Sequence, residues 1–171
     1  PVLHEVLDNW GSRKKGTLTG IPTGYYDLDD LLSGLQKSDL IICAGRPSMG
    51  KTALALSIAR NAALEYGHRV GVFSLEMSNT QLVERLLTAE AKVDSHLVRT
   101  GKLPKNEWKR LAQAAGPLSE ASIYIDDSAG LNIMDLRAKA RQLKAEKKIE
   151  LIIVDYIQLL NSGGNFESRQ Q

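Results

Sequence analysis

Eight consecutive residues, Gly45-Arg46-Pro47-Ser48-Met49-Gly50-Lys51-Thr52, follow the pattern of glycine, any four residues, then glycine-lysine-threonine. These are the residue types that grip a nucleoside triphosphate by its phosphates. Glycines let the backbone wrap so that successive N–H groups point at phosphate oxygens. Lys51 brings a mobile positive charge to the β- and γ-phosphates, and Thr52 offers a hydroxyl to Mg2+. A helix opening at Lys51 adds the positive end of its dipole. An ordinary glycine turn before a helix would look alike if it stood alone, so the flanks decide. The run DLIICA (39–44) reads as an apolar strand leading in, and 51–66 as a long helix closed by Gly67.

Two acids stand where such a loop would need them. Asp155 ends the apolar run Leu151-Ile152-Ile153-Val154, at the carboxyl end of a predicted buried strand, where open α/β sheets bind ligands. It could hold Mg2+ across from Thr52; the alternative is an Asp that merely begins the next turn. Glu76 follows the strand candidate RVGVFSL (69–75) and could take a proton from a water attacking the γ-phosphate. Its alternative is a helix-entry acid favoured by the dipole of the next helix. Asp126 and Asp127 occupy a similar strand end, where turn or capping roles fit better. Gln158, two residues past Tyr156, is open between a nucleotide-state reporter and a structural hydrogen bond. ATP and Mg2+ are the implied cofactors.

Other chemistry-bearing residues point to less. Arg137, Arg141, Lys144 and Lys148 form a basic stripe that suits a solvated helix face as well as a phosphate surface. Arg13, Lys14 and Lys15 fit a soluble linker. Tyr25, Tyr26 and Trp108 do not interleave with basic residues as a stacking platform would. Cys43, inside the predicted strand, reads as a small apolar filler.

The elements that must position the site alternate between strand and helix. After a helix over 1–10 and a polar linker, GSRKKG, a turn-rich entry leads to a short helix ended by Gly34. Helices are predicted over 51–66, 79–92 and 133–147, with a less regular helical stretch over 94–118 that Pro104 opens. Ser78 and Gln81 have capping-box spacing. Strands are predicted over 39–44, 69–75, 121–125 and 150–156. They are apolar without strict alternation, so both faces should be covered by helices. This is an α/β fold with a mostly parallel sheet.

The chain has 171 residues, net charge +2, 43% apolar and 25% charged residues, which suits one globular domain. One cysteine excludes an internal disulfide framework, and three scattered histidines do not suggest a metal site. No run approaches the roughly 20 apolar residues a membrane span needs. The N-terminal segment carries acids where a secretion signal would be apolar, so a cytoplasmic protein without a membrane is expected. The near-neutral charge does not decide nucleic-acid binding. The last strand runs straight into the polar tail NSGGNFESRQQ, so a fragment with an unfinished sheet is expected.

Taken together, TGIPTGYYDLDDLLSGLQKSDLIICAGRPSMGKTALAL, VFSLEMS, IYIDDSAG and LIIVDYIQLL resemble the bacterial replicative DNA helicase family, DnaB-type, in its RecA-like C-terminal motor domain. The segments occur in family order from Thr19 onward, and SLEMS with DYIQL is far more specific than the phosphate loop. The resemblance implies a RecA-like P-loop NTPase core, incomplete at its C-terminal end, over 17–171, with a linker helix and linker over 1–16. It implies Glu76 as the glutamate that polarises the attacking water, Lys51 and Thr52 at the phosphate and Mg2+ positions, and Asp155 as the Walker B aspartate. It further implies a homohexameric ring with ATP between subunits, 5′–3′ movement on single-stranded DNA, and a helicase loader and primase as partners of the full-length protein.

The family's glutamine sensor, second DNA-facing loop, arginine finger and N-terminal collar have no matching position. Efficient hydrolysis and unwinding by this polypeptide alone are therefore not expected. The competing readings are a RecA/RadA-type recombinase or KaiC-like clock ATPase, and a non-catalytic nucleotide-binding module for ring assembly. A kinase is compatible with the phosphate loop alone.

Overall fold

A computed structural model of the chain describes residues 18–160 and His4. The expected helix over 1–10, His4 apart, the linker and the tail 161–171 lie outside the described residues. Packing divides the chain into two compact units, Pro1–Ile41 and Ile42–Gln171.

The first unit is organised by a buried carboxylate. Asp29, 4% exposed, sits in helix α1 (Tyr26–Leu32) and accepts from the Thr23 N–H and hydroxyl, both at 2.8 Å, and from the Gly24 N–H at 3.0 Å. Three donors offset what burying a lone charge would cost. Ser33 and Gly34 both turn left-handed after α1, and Ile21 pairs with Leu35 in an isolated antiparallel bridge. The predicted short helix and its glycine stop are both present.

The second unit is a parallel α/β layer structure. Its elements in order are α2 (Lys51–Arg60), continued by a π-helical turn (Asn61–Glu65), β1 (Val70–Ser74), α3 (Asn79–Ala91), α4 (Ser95–Arg99), α5 (Lys105–Glu120), β2 (Ile123–Asp126), α6 (Ile133–Lys147), β3 (Leu151–Asp155) and a 3-10 turn (Ile157–Leu159). The strands form one sheet in the order β2-β1-β3, both pairings parallel. All five residues of β1 are buried, which is why its sequence is apolar on both faces. At Gly71 the sheet is approached so closely that an added Cβ would stand 3.2 Å from Ile149 Cδ1 and 3.7 Å from Leu143 Cδ1. Helix α6 and the turn after it therefore cover that face.

Helices α3, α4 and α5 share an apolar cluster. Ala91, Leu103, Leu111 and Ala114 are buried there, with Leu87, Val93, Leu97 and Val98 packed against them. No residue of the five-residue α4 is fully buried, so Leu97 and Val98, half-buried against this cluster, hold it with only part of the about 1.5–3 kcal/mol that full burial of such a side chain gives. The capping box at Ser78 and Gln81 forms in both directions. Pro104 takes the N-cap of α5 in extended conformation.

One predicted element is absent. Residues 39–44 are irregular, with Leu40, Ile41 and Ile42 at 84%, 52% and 80% exposure. An apolar run marks a segment that suits a strand, but a strand exists only through a ladder. Among the described residues, no strand pairs with this run. Cys43 is correspondingly exposed rather than a buried filler.

Candidate functional site

Parallel strands in register bring their carboxyl ends to one edge. Ser74 of β1 lies opposite Asp155 of β3, and Phe73 opposite Asp126 of β2. The Leu75 N–H donates to the Asp155 carbonyl at 2.7 Å, extending the pairing one residue past β1. The turn carrying Glu76, the Asp126-Asp127 pair and Asp155 therefore share one edge, because the sequence places an acid at or just past the end of each strand.

The predicted phosphate loop leads into the N-terminus of helix α2. Gly50 is its N-cap at φ 86°, and an added Cβ there would touch nothing within 4 Å. The glycine is required by its left-handed backbone, not by crowding. Ser48 is also left-handed at φ 63°, and the Met49 N–H donates to the Arg46 carbonyl at 3.3 Å. Pro47, between them, has no N–H to give. Cys43, Ala44, Gly45, Arg46, Met49, Gly50, Lys51 and Leu54 line a cleft of about 360 Å3. The Lys51 stem lies over Gly45, where an added Cβ would meet its Cγ at 3.4 Å.

Buried residues Leu56 and Ala59 anchor α2, and its contact with β3 brings together two predicted metal-binding groups. The Thr52 hydroxyl donates to Asp155 Oδ2 at 2.6 Å across 103 residues of sequence. Asp155 is 8% exposed. A hydroxyl and a carboxylate fit the habit of Mg2+, which takes one or two protein oxygens and completes its shell with phosphates and water. The residues present therefore suit a Mg-nucleotide.

Lys51 has a partner that its motif does not foretell. Its Nζ lies 5.1 Å from the centroid of the Tyr156 ring, within cation–π range. Tyr156 follows Asp155, and the peptide between them is cis.

Glu76 is exposed, two residues past β1. Its turn is clamped by Ser74, whose hydroxyl donates to the Met77 carbonyl at 2.7 Å and accepts from the Met77 N–H at 3.1 Å. Sequence reasoning misses both Tyr156 and Ser74. A hydroxyl two residues before the candidate base and a ring next to the acid are the available signals.

Asp126 and Asp127 take the capping and turn roles expected of them. Asp126 receives the Lys139 ammonium at 2.6 Å and the Ser128 N–H at 3.0 Å. Burial alone would push its carboxyl up, but the Lys139 and Ser128 bonds outweigh that and hold it below the usual carboxylate range. A depressed folded value gives stability that is whole above the unfolded pKa of about 3.9 and is lost as pH falls through the folded value. Lys139→Met should therefore lower Tm at neutral pH, by the equivalent of ~1 kcal/mol or less for so accessible a pair. The gap from the parent should shrink between about pH 5 and pH 2. Melting curves across that range check it, and a constant gap would show that Lys139 acts by packing instead.

The basic stripe does not act as a unit. Lys144 Nζ donates to the Ile149 carbonyl at 2.8 Å, Lys148 is the left-handed C-cap of α6, and Arg137 and Arg141 are exposed. Gln158 is exposed in the 3-10 turn. Among the described residues, no helix is long and apolar enough to cross a membrane.

Comparison with known proteins bears on the family of the chain. The model of the DnaB-like helicase C terminal domain matches residues 20–171. The chain is 51% identical over 168 residues to the replicative DNA helicase DnaB of Geobacillus stearothermophilus, covering 98% of this chain and 36% of that protein. It is 48% identical to the replicative DNA helicase DnaC of Bacillus subtilis (strain 168), covering 99% of this chain and 38% of that protein. It thus spans little more than a third of these curated relatives. Among solved structures, a DnaB-like replicative helicase, described with its interactions with primase, superposes with a TM-score of 0.89 at 30% identity, over 98% of this chain and 41% of that one. A second solved chain, described as an ATPase domain, gives 0.88 at 30% identity over 98% and 60%. The α/β fold is that of these ATPase domains, and the chain belongs to the DnaB-like helicase C-terminal domain family.

Proposed function

We propose that the chain is the nucleotide-binding part of the motor of a ring-forming, ATP-driven replicative DNA helicase, with residues 17–171 as the motor portion and 1–16 as linker. One observation carries the reading: the Thr52 hydroxyl and Asp155 carboxylate, 2.6 Å apart, stand where the phosphate loop meets the end of a parallel strand. Family membership over residues 20–171 supports it.

In this reading the backbone from Gly45 through Arg46, Pro47, Ser48 and Met49 to Gly50 cradles phosphates, and Lys51 neutralises their charge. Thr52 and Asp155 orient Mg2+, the latter directly or through water. Bound Mg-ATP supplies a phosphoanhydride whose γ-phosphoryl group can pass to water. Glu76 accepts that water's proton. The partners proposed for the full-length protein are single-stranded DNA, along which it moves 5′–3′, further copies in a hexamer, a loader and primase. Cytoplasmic action at the replication fork goes with this. A recombinase or clock-type ATPase is not favoured by relatives named as replicative helicases.

The test is ATP hydrolysis by the full-length protein, with and without single-stranded DNA, alongside its mass in solution. DNA-stimulated turnover by a hexamer is the expected result. Nucleotide binding without turnover under either condition would overturn the motor reading in favour of a ring-assembly module.

A further inference from the structure

The carboxylate proposed as the base has nothing of its own to hold it. Glu76 is exposed, and among the described residues its side chain makes no hydrogen bond or ion pair. Its place is set by backbone alone, from β1 on one side and from the first turn of α3 on the other. On the β1 side the Ser74–Met77 clamp fixes the turn. On the α3 side the Ser78 N–H donates to Gln81 Oε1 at 3.1 Å, and the Gln81 N–H reaches back to Ser78 Oγ. Both of these ties are local; on the β1 side the Leu75 N–H also holds the Asp155 carbonyl at 2.7 Å, whereas the α3 side needs a tie of its own to the rest of the sheet edge.

On the α3 side that tie crosses 48 residues of sequence. The Asn79 N–H, first in α3, donates to Asp127 Oδ2 at 2.7 Å. Amides in the first turn of a helix have no partner within it, and this one is answered from the end of the neighbouring strand. Asp127 is itself well placed to act as a fixed post. Asp126 before it and Ser128 after it are both bound by Lys139 Nζ, at 2.6 and 2.7 Å, and Ser128 N also donates to Asp126. The β2 end is thus pinned to α6, and Asp127 passes that anchorage to the turn three residues after Glu76.

We propose that Asp127 is a positioning residue, a bracket from the β2 end that fixes the start of α3 and through it the aim of Glu76. The proposal rests on the reading of Glu76 as the base. Asp127 touches no reacting atom; it sets where Glu76 points. A carboxylate or any side-chain carbonyl of the same length can serve, since only an acceptor is needed.

The experiment uses the full-length protein with Asp127→Ala, Asp127→Asn, Glu76→Gln and the double variant Glu76→Gln/Asp127→Ala. DNA-stimulated kcat, KM for ATP, Tm and hydrogen exchange at the Asn79 amide are measured for each. Asp127→Ala is expected to lose about ten- to a hundredfold in kcat, part of the ~10²–10⁴-fold a positioned base contributes. Its KM and Tm should change little, and its Asn79 amide should exchange faster. Asp127→Asn keeps an acceptor and should stay within about twofold of the parent. In the Glu76→Gln background, Asp127→Ala should cost nothing more in kcat.

If Glu76→Gln loses turnover but Asp127→Ala does not, the bracket is wrong and the base assignment stands. If Asp127→Asn is as slow as Asp127→Ala, or if the loss in kcat tracks a fall in Tm, positioning by hydrogen bond is overturned. If Glu76→Gln keeps full turnover, the base assignment fails and the proposal falls with it.

Discussion

Lys51→Ala is expected to weaken nucleoside triphosphate binding by on the order of a hundredfold while leaving Tm unchanged or slightly higher. A unit charge pair at about 4 Å is worth about 4 kcal/mol at an effective dielectric near 20. Against that, Lys51 must leave the Tyr156 ring, 5.1 Å away, a contact worth ~0.5–1 kcal/mol at an accessible site. The difference, roughly 3 kcal/mol, is about a hundredfold in Kd. Stability should move little, because losing the Tyr156 contact is offset within the helix. Lys51 is the first residue of α2, where a positive charge opposes the helix dipole and Ala is the better helix former. Calorimetric titration with a non-hydrolysable triphosphate, paired with a melting curve, separates the two effects. Unchanged affinity would remove Lys51 from the phosphate site, and a large fall in Tm would mean the side chain holds the fold.

Most of this geometry can be read from residue types, because the deciding signals are local. Gly50 before Lys51-Thr52 needs only its left-handed backbone to open α2, and Ser78 with Gln81 needs only a spacing of three to close a capping box. The buried β1 is legible from its apolar residues 70–73, although the polar Ser74 that ends it is buried too. Residues 39–44 look equally apolar yet form no ladder, because pairing depends on a partner edge that periodicity does not contain. The same limit hides the ties at the strand ends. Thr52 to Asp155, Asn79 to Asp127 and Lys139 to Asp126 span 103, 48 and 13 residues. The first can be expected because a motif names both partners. The other two depend on sheet register and on which turn of α6 faces β2, and the residue types carry no mark of either. Cys43 departs from expectation for the same reason as its strand: burial read from apolar neighbours needs a ladder that those neighbours lack.

Glu76→Gln should give the opposite signature to Lys51→Ala. Gln keeps the shape and length of the side chain but cannot take a proton, so turnover is expected to fall ~10²–10⁴-fold. Affinity should hold or tighten slightly, because a negative charge near a polyphosphate repels it and the amide does not. Stability offers the discriminating comparison. Were Glu76 only an acid at the entrance to α3, its worth would be a helix-dipole term of at most about 1 kcal/mol. It stands two residues before the N-cap Ser78, outside the first turn where that term is largest, so even this is generous. A dipole role therefore predicts a small loss in Tm and no change in kcat, whereas a base predicts the reverse. Measuring kcat, Kd and Tm on the full-length ring with single-stranded DNA separates these outcomes. A Gln variant that turns over ATP at the parental rate would remove Glu76 from the chemistry. In that case the shared edge of β1, β2 and β3 would bind nucleotide through Lys51, Thr52 and Asp155, and the proton acceptor would lie elsewhere in the assembly.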